Sequence, residues 1–448
     1  MAIQRPFWLL KAGHVIIMPL RFYLVALVFL VSVLMSGLFL RDCLVSRLKS
    51  AHPPTTQTSL PHPSPSDSVA FQYYTAGAQG RGDVFSTPEG NLYLPPSFFL
   101  IGCTKCGTTS MFSYLIRHPE IASTCKHGPL HSTYSANPEH YLKKHAPFEG
   151  TLAGKLCHPS SGTYVLKEPK FWRSSIQTEN QFESYVLRHS PHLPAYMNFT
   201  PTVGDFSACT FFGCGDGDPA QVAKNIVSSF APRNVKFIML VCDPARRALS
   251  YLRMICAEGA TGKEKRRQSL VYCDDSPEVK FSTALNYLVD MNCSHTIYGT
   301  AEWQQRRCLT KRYHGIGNSI VRGYYGDWLK IWLTATASRN IGVVQLEVLQ
   351  DHGQVVLSDM HQFIGVQPYT YPKGTFDERY NIAKSTRAHL NVTGRFVGTS
   401  QVRVDQAEEI TITEVRTEVF AKPISEFCRI ISEVDMTTLG RISLCLNT

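Results

Sequence analysis

The chain of 448 residues is 44% hydrophobic and 18% charged, and this composition excludes a protein that is disordered along its whole length. Its 45 lysines and arginines exceed its 35 acidic residues, and the formal net charge of +10 favours anionic partners such as phosphorylated cofactors, acidic polymers or membrane head groups. The 14 cysteines suit an oxidising compartment, and a single C-x-x-C pair, Cys103 with Cys106, does not predict a metal site.

The first apolar segment predicts a membrane anchor. Residues 22–40 are uncharged and as a helix would nearly cross the ~30 Å hydrocarbon core of a bilayer, so they are predicted to be a transmembrane signal anchor, with residues 1–21 as a cytoplasmic tail. The flanking positive charges are almost balanced and do not orient this helix. A lumenal C-terminal body, and therefore a type II orientation, is favoured by the N-glycosylation sequons at Asn198, Asn292 and Asn391.

A polar segment follows the anchor. It is rich in Pro, Ser, Thr and Gly and poor in aliphatic residues, so it cannot bury enough surface to offset the entropy lost on ordering. Residues 41–92 are therefore predicted to be a flexible stem, and residues 93–448 a single folded lumenal domain. The Arg81-Gly82-Asp83 triplet lies in this stem and is assigned no function.

The body opens with a predicted strand, a tight loop and a helix. Ser97 to Gly102 is a nearly continuous apolar run, typical of a central parallel strand that is buried on both faces. From Thr108 onward, apolar residues recur at helical spacing, which predicts a helix whose N-terminus presents unpaired N–H groups. Such a terminus binds anions.

The loop between this strand and this helix has the chemistry of a phosphate cradle. Lys105 supplies a positive charge, Gly107 lets the backbone approach a phosphate closely, and the hydroxyls of Thr108 and Thr109 donate further hydrogen bonds. The pattern is not a Walker A loop, because that motif places Lys directly after its last Gly, whereas here Thr108 follows Gly107. An ATP or GTP hydrolase is therefore disfavoured, and so is a nucleotide-dependent kinase, which also needs acidic Mg²⁺ ligands.

Two later segments also place polar residues at the end of a strand. Residues 162–172 predict a short strand that ends at the charged pair Lys167 and Glu168. Residues 235–242 predict a buried strand, followed by a helix with Asp243 as its N-cap and a proline in its first turn. Because open α/β sheets bind ligands beyond the carboxyl ends of their strands, the second segment predicts another part of the ligand site.

The C-terminal half continues the alternation of helices and strands. Residues 319–333 have helical spacing, residues 341–346 predict a buried strand, and residues 411–432 predict a closing amphipathic helix. Trp328 and Trp332 are predicted core residues. Together these elements predict an α/β fold with a central parallel sheet flanked by helices, preceded by one transmembrane helix.

Several of these motifs resemble the Golgi carbohydrate sulfotransferases, notably the heparan sulfate and chondroitin sulfate enzymes that use 3′-phosphoadenosine 5′-phosphosulfate. The loop Lys105-Cys106-Gly107-Thr108-Thr109-Ser110 is similar to the 5′-phosphosulfate-binding loop of that family, and His118-Pro119-Glu120 after the helix fits too. Residues 162–172 resemble its K-E-x-x-[FW][FW] segment. Residues 319–347 are similar to its R-G-x-Y-x-x-x-L-x-x-W segment followed by a strand and E-x-L. The resemblance spans roughly residues 93–432.

The resemblance implies a role for each matched residue. Glu168 is expected to be the general base that takes a proton from the acceptor, with Lys167 near the transferred group. Lys105 is expected to act in catalysis by neutralising charge on the leaving phosphate. The residues expected to bind the donor are those of the loop and of the later helix: Lys105, Cys106, Gly107, Thr108, Thr109, Ser110, Arg247 and Ser250.

The second donor element departs from the family pattern. Residues 242–250 resemble the 3′-phosphate-binding motif R-D-P-x-x-R-x-x-S, but Cys242 replaces the leading Arg that usually grips the 3′-phosphate. Ser250 is therefore the expected donor of a hydrogen bond to this phosphate, with Arg247 as its structural partner. Related enzymes also carry a basic loop near the C-terminus, for which this sequence offers only the candidates Lys384, Arg387, Arg395 and Arg403.

Cysteine pairing is expected in a lumenal domain. Cys293 with Cys308, or Cys209 with Cys214, are candidate disulfides, and the spacing does not fix the connectivity. Cys103 and Cys106 are expected to be free thiols, because a bond between them would distort the phosphate cradle.

The expected function is the transfer of a sulfuryl group from 3′-phosphoadenosine 5′-phosphosulfate to a hydroxyl or amino group of a carbohydrate, in the Golgi lumen. The expected partner is an anionic, glycosaminoglycan-like polysaccharide, with no nucleic acid and no metal. The acceptor sugar, the sulfated position and the oligomeric state stay open. The alternative is a non-catalytic lumenal glycan-binding protein that retains the fold, which Cys242 favours and the intact Lys105, Glu168 and Ser250 disfavour.

Overall fold

The computed structural model divides the chain into two compact units, Met1–Val69 and Ala70–Thr448. The structure describes residues 7–11, 14–18, 73–74, 84–87, 90–127, 150–157, 163–165, 172, 181–194, 197, 199–212, 218–231, 233–259, 276–305, 307–309, 315–377, 408–434, 436–440 and 442–445. The predicted anchor at residues 22–40 lies outside them, and no helix that they form is both long and apolar enough to span a bilayer.

The first unit contains one hairpin among its described residues. Phe7–Lys11 (β1) and His14–Met18 (β2) pair as antiparallel strands, with Phe7 opposite Met18. This hairpin lies in the segment that the sequence predicts to be a cytoplasmic tail.

The second unit begins at Ala70, inside the segment predicted to be a flexible stem. Three short strands form an antiparallel sheet there: Tyr73–Tyr74 (β3), Val84–Ser86 (β4) and Leu92–Tyr93 (β5). The ordered structure of this unit therefore starts before residue 93.

A six-stranded sheet lies at the centre of the second unit. Its strands are, in spatial order, Thr437–Thr438 (β13), Ile341–Gln345 (β12), Lys236–Val241 (β11), Phe98–Gly102 (β6), Thr202–Asp205 (β10) and Ile121–Ser123 (β7). Every neighbouring pair is parallel. The predicted central parallel sheet is confirmed, and β6, β11 and β12 are its three predicted strands.

Helices connect and flank these strands. They are Thr108–Leu115 (α1), Leu152–Leu156 (α2), Gln181–His189 (α3), Pro219–Phe230 (α4), Pro244–Gly259 (α5), Pro277–Asp290 (α6), Ala301–Gln305 (α7), Gly315–Val321 (α8), Tyr325–Leu333 (α9), Leu346–Asp351 (α10), Gly353–Ile364 (α11) and Ala421–Glu433 (α12). Residues 408–415 are helical and continue through the π-helical turn Arg416–Phe420 into α12, so the predicted closing helix is confirmed. Cys125–His127 (β8) and Thr163–Val165 (β9) form a separate antiparallel pair.

The core explains why the central strands are mostly apolar. All residues of β6 and β12 are buried, because layers of side chains cover the sheet on both sides. Trp332 is fully buried and its indole N–H donates to the carbonyl oxygen of Phe211 at 3.2 Å. Trp328 is also buried and donates to the carbonyl oxygen of Val321 at 3.0 Å, so both predicted core tryptophans are confirmed.

Disulfides tie separate segments of the second unit together. Cys125 pairs with Cys157, Cys293 with Cys308, and Cys428 with Cys445. The bond between Cys293 and Cys308 is one of the two predicted pairs. The other predicted pair includes Cys214, which lies outside the described residues.

Candidate active site

The candidate site lies where the chain stops adding strands on one side of the sheet and begins to add them on the other. After β6 the chain adds β7 and β10 on one side of that strand, and it then crosses to the other side to form β11 and β12. The carboxyl ends of the adjacent strands β6 and β11 therefore meet at a topological switch point, which is where open α/β sheets bind their ligands. The loop from Cys103 to Gly107 follows β6, and residues 242–250 follow β11.

The loop after β6 is a tight turn built around two residues with left-handed backbone. Lys105 has a φ of 75° and Gly107 a φ of 77°. The Cys106 N–H donates to the carbonyl oxygen of Cys103 at 3.0 Å, which closes the turn. The backbone angle at position 107 favours glycine, and a Cβ atom there would lie 2.5 Å from Cδ1 of Leu346, so the end of that side chain would have to shift.

The same loop forms the N-terminus of α1. Gly107 is the N-cap and makes no side-chain capping bond, while Thr108 is buried and Thr109 and Ser110 are half-buried. The Lys105 side chain, also half-buried, lies two residues before this cap. The structure thus brings together all six residues of the predicted phosphate cradle, at a helix end that favours anions.

A disulfide joins this loop to the neighbouring strand end. Cys106 is bonded to Cys242, so the expectation that Cys106 is a free thiol is wrong, whereas Cys103 is free and buried. That expectation concerned only a bond between Cys103 and Cys106. The partner of Cys106 is Cys242, which is 136 residues away in the sequence and follows β11, the strand next to β6. Cys242, which stands where the resembled family has Arg, therefore fixes the phosphate cradle covalently.

Tyr325, the first residue of α9, contacts both cysteines of this disulfide. Its hydroxyl donates to the carbonyl oxygen of Cys242 at 2.9 Å and lies 3.5 Å from Sγ of Cys106. Burial raises the pKa of the Tyr325 hydroxyl well above its usual range, so the group stays protonated and can donate. Sequence reasoning assigned no role to this residue, although it is the tyrosine of the R-G-x-Y segment.

The segment after β11 forms as predicted. Asp243 caps α5, because its Oδ1 accepts from the Arg246 N–H at 2.9 Å. Ser250 is half-buried on α5, while Arg247 is only 1% exposed. Arg247 Nη2 donates to the carbonyl oxygen of Ser319, which ties α5 to α8, while its expected roles beside Ser250 and in donor binding stay predictions.

Two guanidinium groups lie close to the loop, those of the buried Arg247 and the half-buried Arg322. Burial raises the pKa of the Cys103 thiol, and the charges of Arg247 and Arg322 act in the opposite direction, which places both cations near it. Nε and Nη1 of Arg247 and Nε of Arg322 are buried without a hydrogen-bond partner. Arg322 instead lies over the rings of Phe212 and Tyr251, at 5.1 and 5.5 Å from their centroids. The positive charge around the end of β6 is thus not balanced by these contacts.

The closing helix covers the neighbouring strand ends. Glu347 accepts from the Asp243 N–H at 2.9 Å, and Arg416 forms an ion pair with Asp243. These residues and Arg246 border a cavity of about 560 Å³. Arg246 is itself paired with Glu409, so both arginines of this cavity have carboxylate partners.

Lys167 and Glu168 lie outside the described residues, so their catalytic roles stay predictions. The strand before them, β9, ends at Val165, which pairs with Cys125 of β8. Trp172 after them is buried and packs on Tyr185, with ring centroids 5.0 Å apart. The candidates for a third phosphate contact also lie outside the described residues: Lys384, Arg387, Arg395 and Arg403.

Comparisons with known proteins give weak but consistent similarities. No protein-family model matches the chain. The crystal structure of a sulfotransferase from Alicyclobacillus acidocaldarius is 16% identical, with a TM-score of 0.36, and the match covers 75% of this chain and 96% of that one. Human carbohydrate sulfotransferase 15 is 23% identical over 292 residues, 61% of this chain and 44% of that protein. Mouse bifunctional heparan sulfate N-deacetylase/N-sulfotransferase 4 is 21% identical over 285 residues, 63% of this chain and 24% of that protein.

The chain thus spans less than half of the length of these two curated relatives. Both are sulfotransferases by name, and one is named for carbohydrate and the other for heparan sulfate. The sequence similarity supports a place for this chain among the sulfotransferases.

Proposed function

We propose that this protein is an enzyme that transfers a sulfuryl group from 3′-phosphoadenosine 5′-phosphosulfate to a hydroxyl or amino group of an anionic, glycosaminoglycan-like polysaccharide. The observation that carries the proposal is the phosphate cradle of residues 105–110, seated at the switch point of the sheet and bonded to the end of β11 through Cys106 and Cys242. The names of the sequence relatives support the reaction and the carbohydrate acceptor.

The residues present suit a donor with phosphate groups at both ends. Lys105 and the N-terminus of α1 would hold the 5′ end, where the sulfuryl group is attached, and Ser250 would hold the 3′-phosphate. Arg247 and Arg322 add positive charge near Cys103, at the end of β6. The disulfide keeps both parts of the site in register, which lowers the ordering cost of binding.

The donor supplies an activated sulfuryl group when it is bound. In the proposed step an oxygen or nitrogen atom of the acceptor forms a bond to sulfur while the bond from sulfur to the phosphate oxygen breaks. Glu168 takes the proton of the attacking group, and Lys105 with the α1 N-terminus neutralises the charge that develops on the leaving phosphate. Lys167 would lie near the transferred group.

An oxidising compartment suits the covalent structure of the protein. Four disulfides join described cysteines, and such bonds persist in secretory compartments rather than in the cytosol. We therefore infer a Golgi location with residues 22–40 as a type II anchor and the second unit in the lumen.

Incubation of the purified full-length protein with ³⁵S-labelled donor and a panel of polysaccharides tests the proposal. The panel contains heparan sulfate, N-desulfated heparan sulfate, chondroitin and, as a neutral control, dextran. We expect label in at least one of the glycosaminoglycans and none in dextran. Label in no acceptor, from a protein that binds adenosine 3′,5′-bisphosphate, would instead favour the non-catalytic glycan-binding protein.

A further inference from the structure

Arg322, directly after α8, has a guanidinium group without an anionic partner. Its Nε is buried without a hydrogen bond, and no carboxylate in the described part of the chain forms an ion pair with it. The guanidinium instead lies over two aromatic rings, at 5.1 Å from the centroid of Phe212 and 5.5 Å from that of Tyr251. Rings cover the faces of such a planar group but leave its N–H groups, which lie in the plane, without acceptors.

Arg247 places a second positive charge beside Arg322. This side chain is almost fully buried, and it donates through Nη2 to the carbonyl oxygen of Ser319 while Nε and Nη1 have no partner. Burial lowers the pKa of Arg322, and the charge of Arg247 acts in the same direction. Two like charges in a partly desolvated place are costly unless an anion pairs with them, so an anion bound there would stabilise both.

Arg322 adjoins both segments of the proposed donor site. Tyr251, which its guanidinium contacts, directly follows Ser250 on α5. Arg247 precedes Ser250 by three residues, so the two side chains are neighbours on the surface of that helix. The charge of Arg322 also acts on Cys103, the residue that follows β6 and begins the loop. The unpaired guanidinium therefore lies next to the helix turn that carries Ser250.

We propose that Arg322 binds the 3′-phosphate of the donor together with Ser250, and thereby sets the preference for a nucleotide that carries this phosphate. The identity of the ligand rests on the proposed function, whereas the unpaired charge of Arg322 is independent of it. Position 242 offers this phosphate no positive charge, because its cysteine is bonded to Cys106. Arginine suits the role, since its planar group donates two parallel hydrogen bonds to phosphate oxygens.

Isothermal titration calorimetry on the full-length protein tests the inference with two probes, adenosine 3′,5′-bisphosphate and adenosine 5′-monophosphate, which lacks the 3′-phosphate. Arg322→Gln removes the charge and should bind the bisphosphate roughly ten- to a hundredfold more weakly, with unchanged affinity for the monophosphate. Arg322→Lys keeps the charge without the planar group and should lose less. The control is Arg253→Gln, which removes an exposed cation of α5 and should keep wild-type affinity for both nucleotides.

The two nucleotides separate a phosphate contact from a structural role. Retained affinity for the monophosphate reports an intact cradle in each variant. Unchanged bisphosphate affinity in Arg322→Gln, or equal weakening of both nucleotides in Arg322→Gln and Arg322→Lys, would overturn the inference. Either result leaves the proposed function standing if the wild type transfers sulfate. Selective loss of bisphosphate affinity in a protein that transfers no sulfate would support the inference and contradict the enzyme, and a wild type that binds neither nucleotide would contradict both.

Discussion

Cys106 in the phosphate cradle and Cys242 at the end of β11 are joined by a disulfide, with their Cα atoms 5.3 Å apart. The bond links the two segments of the proposed donor site, which are separated by 136 residues in the sequence. At position 242, where the resembled family has an arginine, this chain thus has a cysteine in a disulfide bond. The shape of the proposed donor site depends on that bond.

Removing this disulfide should weaken donor binding. In the double variant Cys106→Ala/Cys242→Ala, the cradle loses its attachment to β11, and adenosine 3′,5′-bisphosphate should bind about tenfold more weakly because the site is no longer pre-organised. The free energy of unfolding should also fall by about 2–5 kcal/mol. Calorimetry below the melting temperature measures the first effect and urea unfolding the second.

The variant Cys428→Ser/Cys445→Ser is the matched control, since it removes a disulfide near the C-terminus. It should lose stability but keep donor affinity. Equal donor affinity in the wild type and the Cys106→Ala/Cys242→Ala variant would show that the bond is not part of the site.

The two proposed phosphate contacts should each contribute to donor affinity. Lys105→Ala removes the cation of the cradle, and Ser250→Ala removes the hydroxyl on α5. Each change should weaken binding of adenosine 3′,5′-bisphosphate by roughly ten- to a hundredfold, the range for a charge-assisted hydrogen bond. Lys155→Ala, on the exposed side of α2, serves as the control. Unchanged calorimetric affinity in both variants would mean that the donor binds elsewhere.

Gly107 should be intolerant of a side chain. In Gly107→Ala the positive φ costs about 1–2 kcal/mol, and the new Cβ would also lie 2.5 Å from Cδ1 of Leu346. Gly365→Ala separates the two effects, because Gly365 has a φ of 82° but open space around it. We expect urea unfolding to show the larger loss for Gly107→Ala, and only this variant to bind the bisphosphate more weakly. Equal stability losses would argue against close packing of the loop on α10.

How far the sequence predicts this site depends on how local each feature is. The strand β6, the cradle and α1 were predictable because their signals lie within about twenty consecutive residues: an apolar run, a glycine in the turn and helical periodicity. The parallel sheet was predictable because strands and helices alternate along the chain. The pairing of Cys106 with Cys242 was not predictable, since it depends on which strands are neighbours, and spacing along the chain does not determine that.

Buried charge was equally hard to predict. In the sequence, Arg247 is one of two adjacent arginines at a helix start, yet Arg246 is exposed and paired with Glu409 while Arg247 is buried. The packing of α5 against α8 buries the side chain of Arg247 and leaves that of Arg246 exposed. The role of Glu168 stays a prediction from its motif.

His361 should make stability depend on pH. It is fully buried, its Nδ1 accepts from the Tyr369 N–H at 3.3 Å, and burial together with the neighbouring His118 lowers its pKa to about 3. Between about pH 6.5 and pH 3, the unfolded chain binds a proton at this residue that the native protein does not bind. Stability therefore falls as the pH falls through this window, by at most ~1.4 kcal/mol per pH unit.

Urea unfolding at pH 7 and pH 5 measures this dependence. His361→Phe should reduce the loss of stability between the two values, whereas the exposed variant His352→Asn should not. The same loss in His361→Phe as in the wild type would show that His361 does not titrate as the structure implies.

The most direct test of the account is ³⁵S transfer to the best glycosaminoglycan acceptor by the wild type and by Glu168→Gln, with Glu278→Gln on the exposed start of α6 as the control. The amide keeps the shape of Glu168 but is not a base. The account predicts transfer by the wild type and the control, a rate roughly 10²–10⁴ lower for Glu168→Gln, and similar affinity of all three for adenosine 3′,5′-bisphosphate. Wild-type turnover in Glu168→Gln would contradict the assigned base, and no transfer by the wild-type protein would contradict the enzyme itself.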